Sequence, residues 1–214
     1  MPIALQKRAK ELLGVTIYEG IGMSETWLYA LNPLDDKMKI GSMGLPCPDV
    51  EIEIVDENRQ TLPHGQVGQI AVKGNSVMLG YYSGTKEEIA FENGWFYTGD
   101  FGYMDEDGYI FYCGRKELSF IKDDLLLFPH EIEFVLYEHP AIHEAGVVCG
   151  EKIIAYVSLN STDFSISKKH LFNHLHKYLP PEKIPDDIIL LSQLPKGFTG
   201  KIDRRFLKIE GGIP

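Results

Sequence analysis

The first half of the chain alternates apolar and polar residues in short stretches bounded by turns. Strict alternation over residues 50–54, and an apolar run over 69–73 framed by glycines, each predict a strand. An acidic turn at residues 104–108 predicts a hairpin. At the N-terminus, apolar residues recur at helical spacing over 3–13, and residues 14–18 predict a short buried strand. We therefore expect this half to be mostly β.

In the second half the spacing changes to that of helices alternating with strands. Pro129 favours a first helical turn, and a second helix should begin at a Ser165 or Ser167 cap and end before Pro180. The residues expected on the buried faces are Ile132, Val135, Leu136 and His139 in the first helix, and Leu171, Phe172, Leu175 and Tyr178 in the second. Strands are predicted over residues 145–148, 153–157 and 188–191. The pattern is typical of a small α+β domain, with a boundary near residues 113–118.

Composition excludes several classes of protein. The 214 residues are 44% hydrophobic and 24% charged, which suffices for a buried core and excludes general disorder. Acidic residues outnumber basic ones by 31 to 21, so the net charge of −10 argues against nucleic acid as a partner. A small phosphorylated ligand held by a few local cations is compatible with this charge.

The chain contains nothing typical of a membrane or secreted protein. No apolar run reaches the roughly 18–20 residues of a membrane helix, and the N-terminus lacks the apolar core of a secretory signal. Cys47, Cys113 and Cys149 are odd in number and widely spaced, as is typical of reduced thiols. We therefore expect a cytoplasmic protein without a transmembrane segment.

Four glycine-containing segments carry the residues best suited to chemistry. They are residues 20–26 with Ser24 and Glu25, residues 95–100 with Asp100, residues 114–117 with Arg115, and residues 195–205 with Lys201. Each alone has an ordinary structural explanation, since Asp100 could satisfy loop N–H groups and Lys201 could lie in a solvated basic loop. Their combination, in this order and spacing, is far more specific.

Together the segments resemble the motifs of the adenylate-forming superfamily, which includes acyl-CoA synthetases, adenylation domains of peptide synthetases, and luciferases. The matching residues are 17–26, 68–74, 78–81, 97–100, 114–115, 131–133 and 195–205. The resemblance covers nearly the whole chain and implies an α+β fold. Residues 1–116 would be the β-rich end of the large N-terminal AMP-binding domain, with short strands in a distorted, barrel-like arrangement. Residues 117–214 would be the small, mobile α+β C-terminal lid domain.

The resemblance also implies a role for individual residues. Asp100 would accept hydrogen bonds from both ribose hydroxyls of ATP, and Arg115 would contact the nucleotide near the ribose. Ser24 would touch the phosphates and Glu25 would hold Mg²⁺, a cation that prefers oxygen ligands. Lys201 would stabilise the negative charge shared by the substrate carboxylate and the α-phosphate.

The reaction implied by the resemblance has two steps. A small-molecule carboxylic acid, such as a fatty or aryl acid, and Mg-ATP give an acyl-adenylate and pyrophosphate. The small domain then rotates at a hinge, here Glu117, and a thiol, usually that of coenzyme A, takes the acyl group and releases AMP. The expected ligands are therefore ATP or AMP, Mg²⁺ and coenzyme A.

Several differences from the family pattern leave alternatives open. Most of the large domain, including its phosphate-cradling loop, would precede this chain, so we expect the chain alone to be inactive. Ile21 replaces an aromatic residue that stacks on adenine, and Asp123 and Asp124 would repel an anionic thiol donor. The chain could therefore be the C-terminal part of an acyl- or aryl-CoA ligase that needs its N-terminal portion. It could also be an adenylation domain serving a carrier protein, or an inactive nucleotide-binding or protein-interaction module.

Overall fold

A computed structural model describes most of the chain. The described ranges are residues 1–82, 90–122, 125–150, 152–160 and 166–210. The expectations concerning Asp123, Asp124 and a cap at Ser165 lie outside them. Internal contacts divide the chain into two compact units, residues 6–117 with Met1 and residues 118–214 with residues 2–5.

The N-terminal helix and a series of short antiparallel strands build the first part of the chain. These elements are α1 (Ile3–Leu13), β1 (Gly20–Met23), β2 (Trp27–Leu31), β3 (Leu45–Pro46), β4 (Val50–Val55), β5 (Gly68–Gly74), β6 (Phe91–Glu92), β7 (Trp95–Met104) and β8 (Ile110–Arg115). One sheet has the order β1-β2-β3; the other has the order β4-β5-β7-β6, with β8 also paired to β7. The strands predicted at 50–54 and 69–73 and the hairpin at 104–108 are therefore confirmed.

The core of this unit follows from the alternation in the sequence. Ile52 and Ile54 of β4 are buried, whereas the intervening Glu53 is only partly so. They pack with Ile70 and Val72 of β5, so one face of the sheet becomes apolar. Ile110 of β8 belongs to the same cluster and Met104 of β7 packs against it, so the core also holds these two strands.

The strand-rich arrangement expected here is confirmed, without a closed barrel in the described ranges, and one expectation about this unit is wrong. Among the described residues the sheet runs from β4 through β5 to β7, which pairs with both β6 and β8, while Ile110 of β8 also bridges Gly44 beside β3; the strands form no closed barrel. Residues 14–18 are not a buried strand: Val15 is 46% exposed and Tyr18 37% exposed. An apolar pattern alone does not make a strand, because a strand needs a neighbour to satisfy its backbone.

The second unit is a small α+β layer structure. Its elements are β9 (Phe120–Lys122), β10 (Leu125–Leu127), α2 (Pro129–Tyr137), β11 (Ile142–Cys149), β12 (Ile153–Leu159), α3 (Lys168–Tyr178), β13 (Asp187–Leu190) and α4 (Arg204–Glu210). Strand β12 lies between antiparallel β11 and parallel β13. Leucines of α2 and α3 pack in one apolar cluster with β11 and β12, while Leu207 of α4 packs in a second with Tyr156 of β12. The sheet is therefore apolar on both faces.

The predicted helices are confirmed with two corrections. Helix α2 ends at Tyr137, so His139 lies beyond it, although His139 is buried and its Nδ1 accepts the Ala141 N–H. Ser167 caps α3, but Tyr178 is 55% exposed rather than buried. Tyr178 is the last residue of α3, and its ring packs against that of His174 instead of the core.

Candidate functional site

Asp100 projects from a local irregularity in β7. Between the pairs Ala71–Tyr97 and Gln69–Phe101, β7 contains two more residues than β5, so the strand bulges. Gly99 supports the bulge with a φ of +73°, a left-handed value that favours glycine. Together these features place a carboxylate inside the unit at the end of a strand pair.

Thr98 stabilises this bulge from within. Thr98 is buried, and its hydroxyl donates to the carbonyl of Ile70 at 2.8 Å. The Thr98 hydroxyl oxygen also accepts the Asp100 N–H at 3.0 Å. The backbone groups that the bulge removes from the ladder are thus partly satisfied, as buried backbone groups must be. Asp100 is therefore held by rigid neighbours.

The Asp100 carboxylate is buried with one oxygen incompletely used. Asp100 is 3% exposed and pairs across the strands with Arg115, whose Nε lies 2.8 Å from Oδ1. The Tyr29 hydroxyl donates to Oδ2 at 3.5 Å. Oδ1, however, receives no well-aligned hydrogen bond from any described residue. The charge of this oxygen is therefore compensated by Arg115, while its hydrogen-bonding capacity is not fully used, so it could accept a bond from a ligand hydroxyl.

Burial also changes the protonation of this cluster. Burial raises the pKa of Asp100 above its usual range, opposed by Arg115 and the Tyr29 hydrogen bond, while Glu117 and Glu25 raise it further. Burial and the charge of Asp100 raise the pKa of Tyr29 well above its usual value. At neutral pH Tyr29 is therefore a neutral donor.

Glu25 lies in the turn between β1 and β2, close to the segment around Tyr81. Its backbone carbonyl accepts the Met78 N–H at 2.8 Å, and its Oε1 accepts the Tyr81 hydroxyl at 2.9 Å. Glu25 is half-buried, whereas the neighbouring Ser24 is exposed. These two hydrogen bonds join the turn at Glu25 to the segment around Tyr81, which lies about fifty residues later in the sequence.

Glu117 lies just past β8, in a single 3₁₀ turn over Lys116–Leu118. Both Lys116 and Glu117 are exposed. With Tyr81, Tyr97 and Gly99 they line a cavity of about 540 Å³. The expected hinge therefore borders the same region of the unit as the Asp100 bulge.

Lys201 belongs to the second unit, in a tight loop between β13 and α4. The two ends of the loop meet where Lys196 and Ile202 pair as in an antiparallel sheet. The Gly197 N–H also donates to the Lys201 carbonyl at 2.8 Å. Gly200 adopts a left-handed φ of +79°, which the turn requires. The side chain of Lys201 is exposed.

Sequence reasoning proposed the charged residues of the candidate site but not the residues that support them. In the first unit Asp100 and Arg115 are adjacent and Glu25 lies within electrostatic reach, while Lys201 belongs to the other unit. No role was predicted for Tyr29 or Tyr81, which hold the two carboxylates. Tyr81 lies in a matched motif, but a tyrosine in strand β2 carries no signal that distinguishes it from ordinary core.

Among the described residues, no group of three or more His, Cys, Asp and Glu side chains could hold a metal ion. Glu25 offers a single carboxylate, which suits a magnesium ion that takes its other ligands from water and phosphates. No helix in the described ranges is long and apolar enough to cross a membrane. All three cysteines are free thiols.

Known proteins match both parts of the chain. A model of the AMP-binding enzyme matches residues 1–82, and a model of the AMP-binding enzyme C-terminal domain matches residues 131–201. The mitochondrial acyl-coenzyme A synthetase ACSM3 of Mus musculus is 37% identical over 211 residues, which cover 91% of this chain and 36% of that protein.

Solved structures agree with these matches. The anthranilate CoA ligase AuaEII, in complex with anthranoyl-AMP, has a TM-score of 0.89 and 30% identity over 99% of this chain and 42% of its own. ATP-bound MatB from Rhodopseudomonas palustris has a TM-score of 0.89 and 28% identity, over 97% of this chain and 43% of its own. The chain thus spans less than half the length of these proteins. It belongs to the AMP-binding, adenylate-forming enzyme family and carries that family's C-terminal domain.

Proposed function

We propose that this chain is the C-terminal part of an ATP-dependent ligase that activates a carboxylic acid as an acyl-adenylate and then forms a thioester. The observation that carries the proposal is the buried Asp100 carboxylate, whose Oδ1 lies beside Arg115 without a well-aligned donor. A fixed carboxylate is a good acceptor for the two adjacent hydroxyls of a ribose. Arg115, 41% exposed along its side chain, offers further donors toward the nucleotide.

Glu25 and Ser24 would face the phosphates of the same nucleotide. Glu25 carries a negative charge in a turn that its hydrogen bonds to Met78 and Tyr81 keep in place. It would hold one Mg²⁺, which when bound neutralises phosphate charge and orients the triphosphate. The exposed Ser24 hydroxyl would donate to a phosphate oxygen.

In the first step the substrate carboxylate attacks the α-phosphorus, the bond to the β-phosphate breaks, and pyrophosphate leaves. Lys201 would stabilise the charge that accumulates between the carboxylate and the α-phosphate. In the second step a thiol sulfur attacks the acyl carbonyl and AMP leaves. We propose that residues 117–214 form a mobile domain that turns at Glu117 between the steps, with coenzyme A as acceptor.

The similar proteins support this assignment. One is described as an acyl-CoA synthetase, one as a CoA ligase holding an acyl-AMP, and one as binding ATP. We propose a cytoplasmic location, in keeping with the free thiols. Because the chain spans less than half of these relatives, the missing part of the large domain would supply the rest of the site.

Titration of the 214-residue chain with AMP, followed by NMR, tests the proposal. Asp100→Asn keeps the shape of the side chain but removes its charge, so we expect it to weaken AMP binding roughly 10- to 100-fold, as for a hydrogen bond to a charged group.

Asp105→Asn is the matched control, because Asp105 is also ion-paired, to Lys39, at the far end of β7. It should bind AMP as the unchanged chain does. If the unchanged chain fails to bind AMP, or if both variants bind it equally well, the nucleotide site is not where we place it.

A further inference from the structure

A partly buried ion pair connects α2 to the loop that carries Lys201. Glu133 on α2 is 4% exposed, and both of its oxygens accept hydrogen bonds from Nη2 of Arg204, at 2.7 and 2.8 Å. Arg204 is the first residue of α4 and lies three residues after Lys201. Charge-assisted bonds of this length are among the strongest that side chains make.

Glu133 is itself fixed to the sheet. Its Oε1 accepts the N–H of Val147, on edge strand β11, at 2.8 Å. His130 lies nearby, but burial lowers its pKa below its usual range, so it is neutral at pH 7 and does not replace Arg204 as a cation. The carboxylate therefore joins α2, β11 and the start of α4.

Residues at the base of the loop also pack closely against β11. Gly146 has no side chain, and a Cβ there would lie 3.1 Å from Cγ2 of Ile202 and 3.3 Å from the side chains of Leu194 and Leu207. The absence of a side chain at Gly146 thus lets the residue after Lys201 lie directly on the strand. The ion pair and the close packing meet at consecutive residues of β11.

Hydrogen bonds of Asp203 also hold the base of the loop. The Asp203 N–H donates to the Pro195 carbonyl at 2.9 Å, and the Asp203 carboxylate accepts the N–H groups of Arg205 and Phe206. Between these fixed points only residues 196–202 form the turn. A short loop held at its base moves little, and Lys201 lies next to that base, so the base determines where its side chain can reach.

We propose that Glu133 is a positioning residue: through Arg204 it fixes the base of the 196–202 loop and so sets the position of the Lys201 ammonium. This proposal rests on the proposed function for its catalytic consequence, but the anchoring itself is a property of the chain. Breaking this partly buried ion pair leaves one charge uncompensated, so the loop should loosen when either partner is lost.

Amide hydrogen exchange of the 214-residue chain tests the anchoring directly. Glu133→Gln is isosteric and keeps an oxygen for the Val147 N–H, but it cannot neutralise Arg204. Exchange of the Gly197 and Asp203 amides should accelerate at least tenfold, while the Val157 amide of β12 should be unchanged. Gly146→Ala should accelerate the same two amides with the ion pair intact.

Glu131→Gln is the matched control, since Glu131 lies on the same helix and pairs with Lys183 instead. It should leave exchange in the loop unchanged. Equal acceleration of the loop and Val157 amides, or no acceleration in the loop, would overturn the proposal. If Glu133→Gln does not fold, Arg204→Gln is judged by the same criteria.

A second measurement separates this proposal from the function on which it rests. In the complete ligase, Glu133→Gln should lower kcat of ATP–pyrophosphate exchange roughly 100-fold, the scale of a small misplacement, with KM for ATP unchanged. If the unaltered ligase shows no ATP–pyrophosphate exchange, the proposed function is contradicted, but the anchoring of the loop is not. A rise in KM without a fall in kcat would contradict the positioning role.

Discussion

The two units hold their key charges in opposite ways. Asp100 is 3% exposed and is held by Thr98 and Arg115 within a sheet, whereas Lys201 is exposed in a short loop. The carboxylate is suited to hold a ligand in one position throughout a reaction, because the hydrogen bonds of Thr98 hold the bulge that carries it. The lysine is suited to act in one step and be withdrawn, because its side chain is exposed on a short loop that is anchored at its base. The difference predicts that substitutions in the two units affect different steps.

The largest effect should come from Lys201. In the complete ligase, Lys201→Ala should slow adenylation roughly 100- to 1,000-fold, the scale of losing one preorganised donor. Thioester formation from synthetic acyl-adenylate should change much less, because the small domain would by then have turned away. Separate rapid-quench assays of the two half-reactions measure both rates.

Lys196→Ala is the internal control for this prediction. Lys196 lies in the same loop but pairs with Glu144 at 2.7 Å, with a partly exposed side chain. Its loss should cost adenylation far less. Equal losses in both half-reactions, or equal effects of the two lysines, would show that the role belongs elsewhere.

The independence of the second unit gives the next prediction. Residues 118–214 contain their own core around Leu171 and Leu175, so that fragment should unfold cooperatively by itself. Leu175→Ala should lower its free energy of unfolding by about 3 kcal/mol, because Leu175 is fully buried. Leu190→Ala, at a 39% exposed leucine on β13, should cost much less. A fragment without a cooperative thermal transition would contradict the boundary.

Capping of α3 allows a smaller test in the same unit. The Ser167 hydroxyl accepts the His170 N–H, so Ser167→Ala should destabilise the fragment by about 1 kcal/mol in urea titrations. Ser192→Ala, in the exposed loop after β13, is the control and should have little effect. Equal effects of the two substitutions would mean that the cap contributes nothing.

The pH dependence of stability sharpens the contrast within the first unit. Burial raises the pKa of Asp100, so the folded chain holds that proton more tightly than the unfolded chain does. The contribution of Asp100 to stability therefore falls as pH rises from its usual pKa through its folded pKa. Asp100→Asn removes this dependence and should gain stability relative to the unchanged chain as pH rises from 3 to 7.

Asp105→Asn should show the opposite trend. Although burial opposes it, hydrogen bonds from Lys39 and from the backbone of Tyr109 and Asp107 lower the pKa of Asp105. Its carboxylate stabilises the fold above its usual pKa and loses that contribution as pH falls. The variant should therefore lose stability relative to the unchanged chain as pH rises. Thermal melts at several pH values distinguish the two signs.

Patterns of local spacing predicted much of this molecule. The alternation in β4, the glycine-framed β5 and the proline at the start of α2 each specify their element through short-range preferences. Residues 14–18 show where this fails, because an apolar run becomes a strand only if another strand pairs with it. The same holds for Tyr178, whose spacing matched the buried stripe although the helix ends there.

For the candidate site, the sequence indicates which charged residues to consider but not how they are arranged. Glycine-bounded motifs identified Asp100 and Arg115, yet the bulge that turns Asp100 inward depends on a register between β5 and β7 that no local pattern encodes. Tyr29 reaches Asp100 across 71 positions of sequence, and Arg204 reaches Glu133 across the same separation. Such contacts follow from the tertiary fold, not from spacing.

The central claim, that Asp100 receives the hydroxyls of a ribose, is tested most directly by a double-mutant cycle. Binding of AMP and of 2′,3′-dideoxy-AMP is measured with the unchanged chain and with Asp100→Asn. We predict that removal of either the hydroxyls or the charge weakens binding by about tenfold or more, and that Asp100→Asn no longer distinguishes the two nucleotides. Additive losses, or dideoxy-AMP bound by the unchanged chain as tightly as AMP, would contradict the claim.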